Sequence, residues 1–196
     1  MTVYVFSKCK KSTDDNYIKN VERLGIKGSD ELVFLNKCRI LYPFPYFKKY
    51  KNISIFLRAF RIFGFSFFFG TEDAMLHREW YKQVYTIDQI GCEVSSGRIV
   101  YLPTIYRSSR DESTTERVTG LKYGYIMEYK QKTGTECPTT GFIVWHAVQD
   151  IFKVKPKDVV LVNFYGSKDN STSKVNEHEW KYEEEYLNKH ARKVFV

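Results

Sequence analysis

An open α/β sheet, mostly parallel and flanked by helices in a single Rossmann-like domain, is the fold class this sequence predicts. Three observations carry it. Short β-branched and aromatic runs alternate with segments of helical period. The run VVLV at 159–162 is apolar at four successive positions, as a strand covered on both faces requires. Strands alternating with helices close into a parallel sheet through right-handed crossovers. The 196 residues make about one domain, and 43% hydrophobic with 17% aromatic residues supply its core.

Along the chain, TVYVF at 2–6 reads as the first strand and runs into the polar turn SKCKKSTDD at 7–15. Tyr17, Ile18, Val21 and Leu24 recur at helical spacing, and Gly25 and Gly28 mark a turn at the end of that helix. ELVFL at 31–35 is a second strand that ends at Asn36. RIVYL at 98–102 is a third, closed by Pro103. The segment 107–120 has almost no apolar content and reads as a solvated loop or the polar start of a helix. A loop at 134–141, a helix at 142–152 and the strand at 158–163 come next in order. GSKDNSTSKVN at 166–176 is polar or glycine except for Val175 and reads as a mobile, lid-like loop. A charged helix over 177–193 closes the chain.

Thirty-one Lys and Arg against 23 Asp and Glu leave +8, a balance that favours phosphates, nucleic acid or anionic membranes. Cys9, Cys38, Cys92 and Cys137 form no C-x-x-C pair and have no histidine at ligand spacing, so they read as reduced thiols of a cytoplasmic protein rather than zinc ligands. Lys8, Lys10 and Lys11 interrupt the first apolar run, which argues against a signal peptide. ISIFLRAFRIFGFSFFFG at 53–70 comes after Lys48, Lys49 and Lys51 and contains Arg58 and Arg61. Two arginines inside it disfavour a spanning helix and suit a core strand and helix, with peripheral contact through 48–70 at the inner face of the membrane as the alternative.

The chemistry concentrates at Thr139-Thr140-Gly141. A helix amino terminus presents unpaired N–H groups and a partial positive charge, which hold phosphate without a side-chain cation. Thr139 and Thr140 add hydroxyl donors, and Gly141 removes a Cβ that would obstruct a ligand; plain capping by threonine is the competing reading. In open α/β sheets ligands collect at the carboxyl ends of strands, where Asn36, residues 139–141 and the stretch 166–178 can meet. His146, in an apolar helix, reads as a packing residue, His77 and His190 as surface residues, and Glu183 to Glu185 as a solvated face.

The order of these pieces resembles the sialyltransferases, most closely the small bacterial ones. The family's strand ending in an R-x-N step is represented by Phe34-Leu35-Asn36. Its [ST]-[ST]-G turn corresponds to Thr139-Thr140-Gly141 and then the 159–162 strand. Its histidine with a glutamate five residues later corresponds to His178 and Glu183. The likeness is strongest over 134–190. Where the family has a G-N-G-P-S type turn after the first strand, this chain has Ser7-Lys-Cys-Lys-Lys-Ser12, without glycine or proline. The resemblance implies inverting transfer of a sialic-acid-like sugar from a CMP-activated donor to a glycan hydroxyl, with no metal or other cofactor. It implies His178 as general base with Glu183 orienting it, and Ser12, Asn36, Thr139, Thr140, Gly141 and Tyr165 on the donor. A non-catalytic relative that binds a nucleotide or glycan is the first alternative. A nucleic-acid binder is the second, disfavoured by the absence of any nucleic-acid-binding signature in the sequence.

Overall fold

A computed structural model describes residues 1–7, 15–35, 44–47, 49–62, 65–68, 83–93, 99–109, 115–120, 123–135, 138–164 and 179–196. The strands are β1 (Val3–Phe6), β2 (Glu31–Leu35), β3 (Ile53–Ile62), β4 (Phe65–Phe68), β5 (Gln83–Glu93), β6 (Ile99–Ser109), β7 (Thr115–Gly120), β8 (Val159–Val162) and β9 (Arg192–Val194). The helices are α1 (Asp15–Glu22), the single turn α2 (Phe44–Phe47), α3 (Tyr123–Thr133), α4 (Thr140–Phe152) and α5 (Trp180–His190). One sheet takes all the described strands in the order β7-β6-β5-β3-β2-β1-β8-β9, with β4 paired to β3. From β5 to β9 every neighbouring pair on that path is parallel, and β6 and β7 extend the sheet antiparallel. The protein is a single α/β domain with a mostly parallel sheet.

Alternation along each strand divides the core. Val3, Val5, Val33, Val159 and Leu161 face α3, α4 and α5 through Tyr129, Phe142 to Val144 and Leu187. Tyr4, Phe6, Phe34, Val160 and Val162 face α1 and α2 through Val21 and Phe47. On that second face Phe6 stacks on Phe34 at 5.0 Å, and Phe47 meets both edge-on at 5.3 and 5.2 Å. Such ring pairs add roughly 0.5–1.5 kcal/mol each beyond their buried area.

The first, second and fourth expected strands stand where the sequence places them, and four expectations are corrected. The strand at 98–102 does not close at Pro103 but continues to Ser109. Pro103 lies opposite Gln89 of β5, while pairing with β7 starts only at Thr104, so the missing N–H costs no bond on that side. The polar segment 107–120 is not a loop throughout, because Thr115–Gly120 is an edge strand. There Val118 packs against the core while Glu116 pairs with the cross-strand Arg107. The helix expected within 53–70 is a strand hairpin, with Ala59 opposite Phe68 and Ile62 opposite Phe65. The closing helix ends at His190, and Arg192–Val194 joins the sheet beside β8. No helix among the described residues is long and apolar enough to cross a membrane. The lid-like stretch 166–176 lies outside the described residues.

Candidate functional site at the carboxyl edge of β1 and β8

The strand order reverses at β1, the place where open α/β sheets form ligand crevices. From β1 the chain moves through β2 and β3 in one direction, whereas β8 sits on the other side of β1. Helices on the two faces diverge at such a reversal and leave a crevice outside the carboxyl ends of the two strands. Here those ends are Phe6 and Val162, joined one residue further on by the Ser7 N–H donating to the Val162 carbonyl at 3.1 Å.

The amino terminus of α4 opens at this edge. Thr139 is its N-cap, with extended backbone (φ −64°, ψ 155°), and its hydroxyl accepts from the Phe142 N–H at 3.2 Å. The same hydroxyl donates to Glu183 Oε2, and the Thr139 N–H donates to Glu183 Oε1 at 2.8 Å. The Tyr129 hydroxyl donates to that Oε1 at 2.9 Å. Glu183 is only 3% exposed, so α3, the N-cap of α4 and the first turn of α5 converge on one buried carboxylate. A buried carboxylate is tolerated when its oxygens are this fully hydrogen-bonded.

Two expectations change on this geometry. Both donors of Thr139 are taken by Glu183, so Thr139 holds the turn in place. Glu183 does not belong to a solvated acidic face, although Glu185, two residues on, is exposed.

Gly141 also answers a packing requirement. A Cβ there would lie 2.5 Å from Cε1 and 3.2 Å from Cδ1 of Phe164, whose ring is buried against the helix just past β8. Gly141→Ala gains up to about 1 kcal/mol of helix propensity and loses roughly 1–3 kcal/mol to overpacking. A net loss of about 1 kcal/mol is therefore expected from urea unfolding midpoints. The double variant Gly141→Ala/Phe164→Leu should recover part of it, and no recovery would place the strain elsewhere.

Asn163 turns the chain out of β8 with φ 59°, a left-handed conformation that asparagine tolerates better than most residues. Its N–H donates to the Val194 carbonyl at 2.9 Å, and its Oδ1 accepts from the Val196 N–H at 2.9 Å. The segment after β9 thus fixes the end of β8. The expected site residues Thr139, Thr140, Gly141 and Glu183 come together here. Ser12, Asn36, Tyr165 and His178 lie outside the described residues, as does His77. Sequence reading misses Tyr129, Asn163 and Phe164. A polar residue directly after an apolar strand is a usable signal for Asn163, whereas nothing separates Tyr129 from 14 other tyrosines (15 less itself).

His146 is the packing residue expected. Its ring meets Trp145 edge-on at 4.5 Å, Phe142 at 5.4 Å and Tyr186 at 5.8 Å. Burial, with the charge of His190 second, pushes its pKa down to about 3. The imidazole stays neutral in the fold while its unfolded counterpart protonates near pH 6.5, so stability present above that pH is lost as pH falls from 6.5 towards 3. The slope from this group is about 1.4 kcal/mol per pH unit. Thermal melts of wild type and His146→Gln between about pH 7 and 4 should converge as pH falls; parallel curves would contradict the assignment.

Among the described residues no group of three His, Cys, Asp or Glu side chains is arranged to hold a metal ion. Comparisons with protein-family models, curated proteins and solved structures find no match to this chain.

Proposed function

We propose that the protein is an inverting glycosyltransferase that moves a sialic-acid-like sugar from a CMP-activated donor to a glycan hydroxyl, working in the cytoplasm and without a metal. The observation that carries this reading is the Glu183 clamp. The glutamate five residues after His178 is bonded to the threonine turn that opens α4, at the crevice between β1 and β8. Glu183, the described member of one motif, thus lies against the threonine turn of the other, which supports reading the two as parts of one site.

In this mechanism the acceptor oxygen attacks the anomeric carbon from the face opposite the CMP oxygen. The new glycosidic bond forms as the bond to phosphate breaks, and His178 takes the acceptor proton. Negative charge grows on the departing CMP phosphate, where the Gly141 N–H, the Thr140 hydroxyl and the positive end of the α4 dipole stabilise it. Ser12, Asn36 and Tyr165 are assigned to the donor. Thr139 acts through position, since Glu183 holds it.

The test is direct. Millimolar CMP should raise the melting temperature by mass action, and the protein should release CMP from CMP-sialic acid in preference to other CMP-sugars. A folded protein with no CMP shift rejects the donor assignment. A CMP shift without CMP release in the presence of glycan acceptors favours a nucleotide-binding relative without transfer, a reading that the lack of glycine and proline at 7–12 supports.

A further inference from the structure

The opposite, amino-terminal edge of the sheet carries a different surface. Register places Val3 beside Glu31 and Val159, Leu32 beside Ile53, and Val160 beside Arg192, so the segments entering β2, β3, β8 and β9 end at one level. Those segments and the start of β9 contribute Lys27, Lys51, Lys155, Lys157 and Arg192, all exposed. Lys153, the exposed C-cap of α4, adds to them. At roughly 4.8 Å per strand, the row from β3 to β9 spans about 20 Å.

Cations at helix carboxyl termini have a structural explanation, because they offset the helix dipole. Lys153 qualifies for it. Lys27, Lys51 and Lys155 lie outside helices, Lys157 sits in a single 3-10 turn (Pro156–Asp158), and Arg192 opens β9 just past the C-cap of α5, so the dipole of a long helix accounts at most for Lys153 and Arg192. Four acids of the same edge, Asp30, Glu31, Glu22 and Asp158, offset the six cations only in part and leave the row net positive. Asp30 is buried and accepts from the Thr2 N–H at 2.8 Å and the Lys27 N–H at 2.9 Å, and Glu31 is buried too. Glu22, at the end of α1, is exposed, and Asp158 is half-buried. Among the described residues none of the six cationic side chains forms an ion pair.

We infer that this amino-terminal edge docks on an anionic bilayer surface. Five of the six cations are lysines, whose compact, non-directional charge suits diffuse attraction to lipid headgroups, whereas recognition of nucleic acid leans on the planar arginine fork. The cations sit on segment tips at the end of a layered domain rather than along a groove, and among the described residues no large exposed aromatic side chain accompanies them for base stacking. Docked this way, the crevice at the carboxyl edge points away from the membrane. The docking surface rests on charge placement alone and is independent of the transferase reading.

The test is co-sedimentation of the full chain with phosphatidylcholine vesicles containing or lacking phosphatidylserine. Binding is expected only to the anionic vesicles and should fall steeply between about 50 and 500 mM salt, in line with the shortening Debye length. Lys155→Glu/Lys157→Glu should lower partitioning by about tenfold or more, whereas Lys132→Glu/Lys181→Glu, an equal charge change away from this edge, should lower it less than about threefold. Equal losses from both pairs would reduce the effect to net charge and overturn the assignment. So would binding to neutral vesicles alike, or a duplex RNA that binds more tightly than the vesicles and is lost in the Lys155/Lys157 pair. Circular dichroism on each variant separates lost docking from lost folding, and if the first pair unfolds, Lys27→Glu/Lys51→Glu takes its place.

Discussion

His178→Ala lowers transfer by roughly 10²–10⁴-fold, the usual worth of a positioned general base, while the melting shift given by CMP stays within error of wild type. The split comes from the division of labour proposed for the crevice. In that proposal the acceptor proton is removed at His178, whereas the phosphate is held by Thr140 and by the backbone at the start of α4, a helix the substitution leaves in place. Thr140→Ala should show the opposite emphasis, with a smaller CMP shift and slower CMP release together. Should His178→Ala abolish the CMP shift, the histidine belongs to donor binding. Should it leave turnover unchanged, the base lies elsewhere.

The largest stability effect is expected at Glu183. Its buried carboxylate accepts from the buried Tyr129 hydroxyl and from both donors of the half-buried Thr139. Glu183→Ala leaves these donors without an acceptor and opens a cavity, a loss of about 3–5 kcal/mol against a total domain stability of roughly 5–15 kcal/mol. Glu183→Gln keeps the oxygen that serves Tyr129 and the Thr139 N–H but sets an amide against the Thr139 hydroxyl, so it should lose less. Glu185→Ala, on the exposed face of the same helix, should stay within about 0.5 kcal/mol of wild type. Urea midpoints give the ranking, and equal losses at 183 and 185 would show that the buried bonds contribute nothing particular.

The parts legible in the sequence are those where local pattern and tertiary environment agree. β1, β2 and β8 are apolar at nearly every position because both faces of the central sheet are covered, and the α4 cap is announced by threonine before an apolar run. β5 and α3 escape a sequence reading for physical reasons. QVYTIDQIGCE mixes polar and apolar residues without a clean alternation, and in YGYIMEYKQKT Tyr125 and Tyr129 share a face while Tyr123 lies across from them, so the stripe is too short to mark a helix. For the site, the family resemblance locates the threonine turn and Glu183 but not what joins them. A glutamate in an EEE run looks solvated until the fold brings Thr139, 44 residues earlier, against it. Gly141 stands out in the sequence, but its contact with Phe164 does not, since that ring reaches it only once α4 packs along β8.

The three residues of β9 bear on what happens to the protein outside its native state. β8 is apolar at every position, and without a neighbour on its outer side it would offer an open row of amides and carbonyls to any extended chain. β9 occupies that row, then presents Arg192 and Lys193 on a strand too short to template another. The Asn163 side chain, bonded to the Val196 N–H, locks this cover at its far end. Chains that have folded β1, β2 and β8 but not yet seated residues 192–196 are thus the species most prone to intermolecular strand addition, and the yield on refolding at high protein concentration depends on how quickly that short segment docks.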